Sequence, residues 1–202
     1  MTTHHRLKNT GLIGAIVATA LVACSCHRQP MPHEKPSPAR RYIVTISIDG
    51  MPSSFDSASA RAFYQVTNDD CAPTMAISGT TEIPNTGLEL HLTKVNGNRY
   101  TATFDLDPFL DEDYFGKGVC HWAFTSIGFT GIKGRRSFMA SFNSDDLSGS
   151  GKAENYFAQG TLDDATKPLK IAGIKNSSIF GSNKTFKIDV TAKEATNDND
   201  NR

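Results

Sequence analysis

The stretch LELHLTKVNGNRYTATFDL, residues 88–106, decides the fold class of this chain. Apolar side chains recur at alternate positions on both sides of the dipeptide Asn96-Gly97, which is a strong turn signal between two strands. A period of two is typical of a β-strand that buries one face and exposes the other. The stretch therefore predicts a β-hairpin.

The length of the connecting loop sets which residues of this hairpin lie opposite each other. A two-residue turn at Asn96-Gly97 would place the inward-facing Leu92 opposite the outward-facing Thr101. Directly opposed residues share a face of the sheet, so we expect a three-residue loop over 95–97 instead. Gly97 would then adopt the left-handed conformation that ends such loops. The predicted pairs are Leu92 with Tyr100, Leu90 with Ala102, and Leu88 with Phe104.

The same alternation recurs along most of the chain from residue 41 onward. Its clearest further examples are Tyr42 to Ile48, Phe138 to Phe142, and Phe186 to Val190. Weaker strand candidates are 62–67, 74–78, 119–127, 154–159 and 169–174, whereas SSFDSASARAF (53–63) is the one segment that could form a short helix. About eight to nine strands separated by turn residues predict an all-β fold, an immunoglobulin-like or related antiparallel β-sandwich.

The N-terminus has the layout of a secretory signal peptide. A basic start is followed by GLIGAIVATALVA, residues 11–23, which is apolar but shorter than the roughly 20 residues that a membrane-spanning helix needs. We therefore assign residues 1–23 to a signal peptide rather than to a buried helix. Cleavage after Ala18-Thr19-Ala20 would release a soluble protein.

A second cleavage site competes with that one. Leu21-Val22-Ala23-Cys24 resembles the lipobox of bacterial lipoproteins. The resemblance implies that the Cys24 thiol carries a diacylglycerol, that the chain is cut before it, and that fatty acids such as palmitate anchor it in the lipid bilayer. Ser25, in the place of an aspartate, implies the outer membrane, facing the periplasm. Cys26 fits the box poorly, and we assign it no role.

Composition divides the rest of the chain into three parts. Residues 24–40 combine the lipidated N-terminus with a Pro-rich tether, because four prolines among polar residues favour extended geometry. Residues 41–192 are long enough for one domain with its own core. The tail, 193–202, has too few apolar residues to fold and is predicted to be disordered.

Charge and motifs exclude several classes of function. The chain has 21 basic and 21 acidic residues and shows no basic stripe, so we expect no nucleic-acid partner. It contains no GxSxG, HExxH, CxxC or P-loop sequence. His91 and His121 lie on predicted outer faces without companions. We therefore expect no enzyme activity, no metal and no cofactor.

Two cysteines, Cys71 and Cys120, fall within the predicted domain. An exported chain meets an oxidising compartment, in which isolated cysteines of one domain tend to pair. We therefore predict a Cys71–Cys120 disulfide, with Trp122, the one tryptophan of the chain, packed beside it.

The densest polar segment is DLDPFLDEDYFGKG, residues 105–118. Its carboxylates could serve a calcium ion or a solvated loop, but the spacing does not match an EF-hand. Rings with a charged rim are also typical of protein-recognition surfaces, although some of these rings could instead plug the end of the sandwich. The candidate partner-binding residues are Phe109, Asp111, Glu112, Asp113 and Tyr114.

These features predict a function without catalysis. We expect a membrane-anchored periplasmic lipoprotein that binds a protein partner, of the secretion-system or toxin-immunity type. A binder of cell-wall glycan or of a small ligand, which would need an exposed aromatic platform, is the alternative. A hydrolase of unrecognised type is a third possibility.

Overall fold

The computed structural model describes residues 31–75, 78–163 and 166–196. The signal peptide, the lipobox, Cys24, Cys26 and residues 197–202 lie outside these ranges, so the predictions made for them stay predictions. The strands in chain order are β1 (Arg41–Asp49), β2 (Ser57–Val66), β3 (Asn85–Leu90), β4 (Thr93–Asn96), β5 (Arg99–Asp105), β6 (Trp122–Lys133), β7 (Arg136–Asn143), β8 (Lys152–Ala158), β9 (Leu169–Ala172) and β10 (Thr185–Glu194).

The strands form two five-stranded sheets that pack face to face, as the sequence predicts for an all-β sandwich. The first sheet has the order β4-β5-β1-β10-β8, and the second has the order β3-β2-β6-β7-β9. The named strand pairs are antiparallel except β7 with β9, which is parallel. A short helix, α1 (Ser144–Ser148), follows β7.

The alternating residues identified in the sequence form the core between the sheets. Those of β1, β5, β7 and β10 are buried, and large side chains from both sheets contact one another there. Phe138 of one sheet, for example, packs edge-on against Phe157 and Phe186 of the other, with ring centroids 5.7 and 5.4 Å away. The predicted inward faces of these strands are confirmed.

The predicted hairpin register is wrong. Leu88 and Leu90 belong to β3, which pairs with Ala62 and Ala60 of β2 in the second sheet. The chain then crosses to the first sheet, where Lys94 lies opposite Tyr100 and Asn96 opposite Arg99. A bulge at residue 95 shifts the register by one residue, so that a short turn still leaves Tyr100 facing the core. Gly97 does not adopt the predicted left-handed conformation.

Two further local predictions are wrong. Most of the segment 53–63 is strand rather than helix, because its small residues Ala60 and Ala62 face the core in the middle of β2. In the segment 74–78, the described residues form a loop in which Thr74 makes an isolated bridge with Thr81.

The folded unit extends past both predicted domain limits. Strand β10 continues through Lys193 and Glu194, and the N–H of Ala195 donates to the carbonyl of Arg41 at 2.8 Å. At the other limit, residues 33–40 of the predicted tether contact the domain, as described below. The β-sandwich domain is therefore longer than residues 41–192.

Candidate functional site

Phe109, predicted as an exposed anchor for a partner, is buried. Its side chain is 3% exposed and packs against Tyr64, with ring centroids 5.2 Å apart, and against Trp122, 5.4 Å away. The ring plugs one end of the sandwich, so it contributes to the core. The anchoring role was predicted for an exposed ring, and a partner has no access to this buried ring without unfolding the loop.

The predicted recognition carboxylates make hydrogen bonds within the domain. Asp111 accepts from the Trp122 N–H at 3.0 Å and lies 2.9 Å from Nδ1 of His121. Burial acts to raise the pKa of Asp111, but these hydrogen bonds outweigh it and hold the pKa below its ordinary value. Asp113 accepts from the N–H groups of Phe115 and Lys117 at 3.3 and 3.0 Å. These two acids order the loop.

The remaining two candidate residues contact the N-terminal segment. Glu112 Oε2 lies 2.6 Å from Nδ1 of His33. The hydroxyl of Tyr114 donates to the carbonyl of Leu110 at 2.8 Å and accepts from the N–H of His33 at 3.3 Å. The loop therefore receives the N-terminal segment of its own chain.

Residues 33–40, which we call the strap, run along this loop. The N–H of Lys35 donates to the Pro108 carbonyl at 2.7 Å, and the N–H of Leu110 donates to the His33 carbonyl at 2.8 Å. Lys35 Nζ also lies 3.0 Å from Asp107 Oδ2. The strap is thus hydrogen-bonded to the loop as a short β-strand would be. The sequence did not predict this, because its alternating prolines favour a free extended segment.

The attachment of the strap should weaken in acid. Burial acts to raise the pKa of Asp107, but hydrogen bonds from Lys35 and from the Arg40 N–H hold it below its ordinary value. A carboxyl whose pKa is lowered by folding stabilises the fold above its unfolded pKa, about 4, and loses that contribution as pH falls through the folded value.

We therefore expect the amide protection factors of Lys35 and Leu110 to fall by up to about fivefold between pH 6 and pH 3, the equivalent of about 1 kcal/mol for a partly exposed ion pair. Hydrogen exchange measured by NMR checks this, with Ile46 of the core as the reference. Asp107→Asn should show the same loss at pH 6. Protection factors that stay constant down to pH 3 would contradict this role of Asp107.

The predicted disulfide is present and organises the same end of the molecule. Cys71 and Cys120 are bonded, with Cα atoms 5.3 Å apart. Both are buried with Val66 in a small apolar cluster, and Trp122 packs against it as predicted. The bond joins the loop after β2 to the segment before β6, and so supports the loop that carries the strap.

A groove lined by apolar, hydroxyl and charged side chains lies on the outer face of the second sheet. Its floor is Gly128, in the central strand β6, and we call it the Gly128 groove. Phe63 and Met139 stand on either side, 41% and 37% exposed. The volume is about 560 Å³. The lining hydroxyl residues are Ser59, Ser126, Thr130 and Ser141.

Two glycines determine the shape of this groove. A Cβ placed on Gly128 would lie 3.2 Å from Cε2 of Phe63, so the ring leans over the glycine. A Cβ on Gly87 would lie 2.6 Å from Cδ of Arg61 and 3.1 Å from Cδ1 of Phe63. Neither position tolerates a side chain without a shift, so the two glycines let the side chains of β2 lie flat across the sheet.

The groove is also lined by two charged side chains, Arg61 and Glu89, that form no ion pair within the described part of the chain. Register places Glu89, Arg61, Gly128 and Ser141 in one row across strands β3, β2, β6 and β7. Among the described residues, neither Arg61 nor Glu89 has a side-chain hydrogen bond or an ion pair. Their hydrogen-bonding groups are therefore available to a ligand.

The outer face of the first sheet differs from the groove, because its charged side chains form ion pairs with one another. Lys187 Nζ lies 3.0 Å from Asp189 and 3.1 Å from Glu154, and Lys152 lies 2.7 Å from Glu154. Hydrogen bonds from Lys152, Tyr156 and Lys187 lower the pKa of Glu154 to about 2. This cluster is a self-contained ion-pair network.

Comparisons with known proteins give no relative for this chain: no family model, no curated protein and no solved structure matches it. Among the described residues, no three His, Cys, Asp or Glu side chains are grouped in a way that could hold a metal ion. The helices within the described ranges are too short or too polar to cross a membrane.

Sequence reasoning missed the groove. Phe63 and Arg61 lie in a segment that was assigned to a possible helix, and strand alternation there would have placed both on the outer face. The isolated glycines at 87 and 128, each within a strand, were the available signal, because a glycine inside a strand marks a bulge or a close approach.

Proposed function

We propose that the chain is a lipid-anchored protein of the bacterial envelope that acts by binding rather than by catalysis, with the Gly128 groove as its recognition surface. The lipobox Leu21–Cys24 supports the anchor. The observation that carries the binding role is the groove itself, where an exposed ring and methionine flank a glycine floor beside an unpaired arginine and glutamate. Binding sites combine apolar walls with a few convergent polar groups in this way.

The contacts that the acidic loop makes within its own domain favour the groove over the loop for this role. The sequence favoured a protein partner held by the rings and carboxylates of 107–114, with a glycan or a small ligand as the alternative. The fold engages Phe109, Asp111 and Tyr114 within the domain. The chemistry of the groove must therefore decide between the two classes of partner.

The strap limits how far the domain extends from the bilayer. If Cys24 carries the lipid, nine peptide units separate it from His33, where the chain is already attached to the domain. A fully extended chain of that length spans at most about 30 Å. We therefore propose that the loop 107–114 faces the membrane and that the groove, on the side of the sandwich, faces the periplasmic space.

The anchor leads to a direct prediction. Mass spectrometry of the mature protein should find Cys24 at the N-terminus with acyl chains attached. Cys24→Ala removes the thiol that would carry the lipid, so the precursor should stay uncleaved or a soluble form should be released. Stable anchoring needs two or three acyl chains. Cys26→Ala is the matched control and should change neither processing nor fractionation. A mature N-terminus at Leu21 without lipid would contradict the proposal.

The groove leads to a second prediction. Phe63→Ala removes one wall and Gly128→Thr fills the floor. Each should therefore weaken binding of the full mature chain, held in detergent, to lipid-extracted envelope fractions by tenfold or more, as loss of a central anchor does. Ile43→Ala is the control, since Ile43 is 45% exposed on the outer face of the other sheet. Cosedimentation measures the binding, and equal affinities for the four proteins would contradict a role of the groove.

A further inference from the structure

The Gly128 groove is long as well as open. Its lining residues come from β3, β2, β6 and β7 and from Ala172 and Gly173 at the end of β9. Neighbouring strands lie about 4.8 Å apart, so the groove crosses about 19 Å of sheet. This extent suits a chain-like ligand that lies across the strands rather than a single small molecule.

The polar groups of the groove suit a ligand covered with hydroxyls. Four hydroxyl side chains can each donate and accept, and Arg61 and Glu89 supply donors and acceptors that are not used within the domain. Serine and glutamate are depleted at protein–protein interfaces, whereas Phe, Met and Arg are enriched there, so the row of hydroxyl groups is the feature that separates the two classes of partner. A hydroxyl-lined groove therefore favours a glycan over a protein surface.

The apolar groups narrow the class of glycan. The exposed ring of Phe63 offers a flat apolar face for the C–H face of a pyranose. Met139, 37% exposed across Gly128 from Phe63, offers an apolar contact for a small group such as the methyl of an N-acetyl substituent. Arg61 and Glu89 together carry no net charge, so the groove does not select an anionic chain.

We propose that the Gly128 groove binds a neutral glycan chain built of N-acetylated amino sugars. This inference rests on the groove being the recognition surface of the protein. The sugar rings lie along the groove over Phe63, and an N-acetyl methyl contacts Met139 beside Gly128. Arg61, Glu89 and the hydroxyl residues hydrogen-bond the ring substituents.

The probe is the β-1,4-linked tetramer of N-acetylglucosamine, titrated into the full mature chain in detergent and followed by calorimetry and NMR. Cellotetraose, which has the same linkage and no N-acetyl group, is the matched ligand. We expect the N-acetylated tetramer to bind at least tenfold more tightly than cellotetraose, and its NMR shift changes to centre on residues 61–63 and 126–130.

Matched variants complete the test. Phe63→Ala and Gly128→Thr should each weaken tetramer binding at least tenfold, Arg61→Gln should weaken it severalfold, and Ile43→Ala should leave it unchanged, with thermal unfolding showing that every variant is folded. No binding of the tetramer, or binding that survives both groove variants, would overturn the inference. If the groove variants still abolish envelope binding in that case, the proposed function stands and its partner is a protein.

Discussion

We expect the Cys71→Ala/Cys120→Ala double variant to lose about 2–5 kcal/mol of unfolding free energy, as small exported domains do without a native disulfide. The bond joins residues 49 apart in sequence. Closing a loop of that length restricts the unfolded chain by about 4 kcal/mol on the entropic account. Both sulfurs are also buried beside Val66, so removing them leaves a small void.

Equilibrium denaturation followed by Trp122 fluorescence measures this loss, because the indole packs against the bonded cysteines. Cys26→Ala is the control and should unfold at the same denaturant concentration as the parent. The strap should loosen in the double variant, since the loop that carries it is supported by the disulfide. An unchanged midpoint in the double variant would contradict the structural role of the bond.

A second large loss of stability, about 2–4 kcal/mol, is expected for Asn155→Leu. Asn155 is 1% exposed, and its Oδ1 accepts from the Ser141 N–H at 3.0 Å while its amide donates to the carbonyls of Ser141 and Ile188. The parallel pairing of β7 with β9 stops at Met139, so this side chain satisfies the backbone where the neighbouring strand has ended. Leucine removes all three of these hydrogen bonds and leaves the part-buried N–H of Ser141 without its acceptor.

Thermal and denaturant unfolding measure the effect, and Asn98→Ala, in the exposed β4–β5 turn, should change stability by less than about 0.5 kcal/mol. Asn155 is buried, but it hydrogen-bonds the backbone of Ser141, which lines the Gly128 groove. Asn155→Leu should therefore also weaken ligand binding in the groove. Stability within 0.5 kcal/mol of the parent would show that the Asn155 hydrogen bonds are dispensable.

The sequence predicted the sandwich because burial on one face leaves a period of two, which needs no knowledge of neighbouring strands. It could not assign Leu88 and Leu90 to a sheet, because both sheets bury the same inward face. The crossing between β3 and β4 depends on contacts with Ala60 and Ala62, which are distant in the chain. Pairing partners are a tertiary property that alternation alone does not encode.

The candidate site shows the same limit. Phe109 and Phe63 each lie two positions from a charged residue in the sequence, yet Phe109 is buried and Phe63 lies on an open face. The disulfide was predictable, because the N-terminal sequence predicts export and two cysteines fall within the predicted domain. The strap was not, because prolines conceal a segment whose backbone bonds are made with a distant loop. Burial in loops depends on the whole fold.

Site-specific photo-crosslinking in living cells tests the central claim most directly. A photoreactive phenylalanine analogue would replace Phe63 in the groove, Ile43 on the opposite face, or Asp113 in the acidic loop, in the full-length chain. We predict a crosslinked envelope component at position 63, lost when Gly128→Thr fills the groove, and none at position 43 or 113. Adducts at 113 or 43 with none at 63 would contradict the groove as the recognition surface.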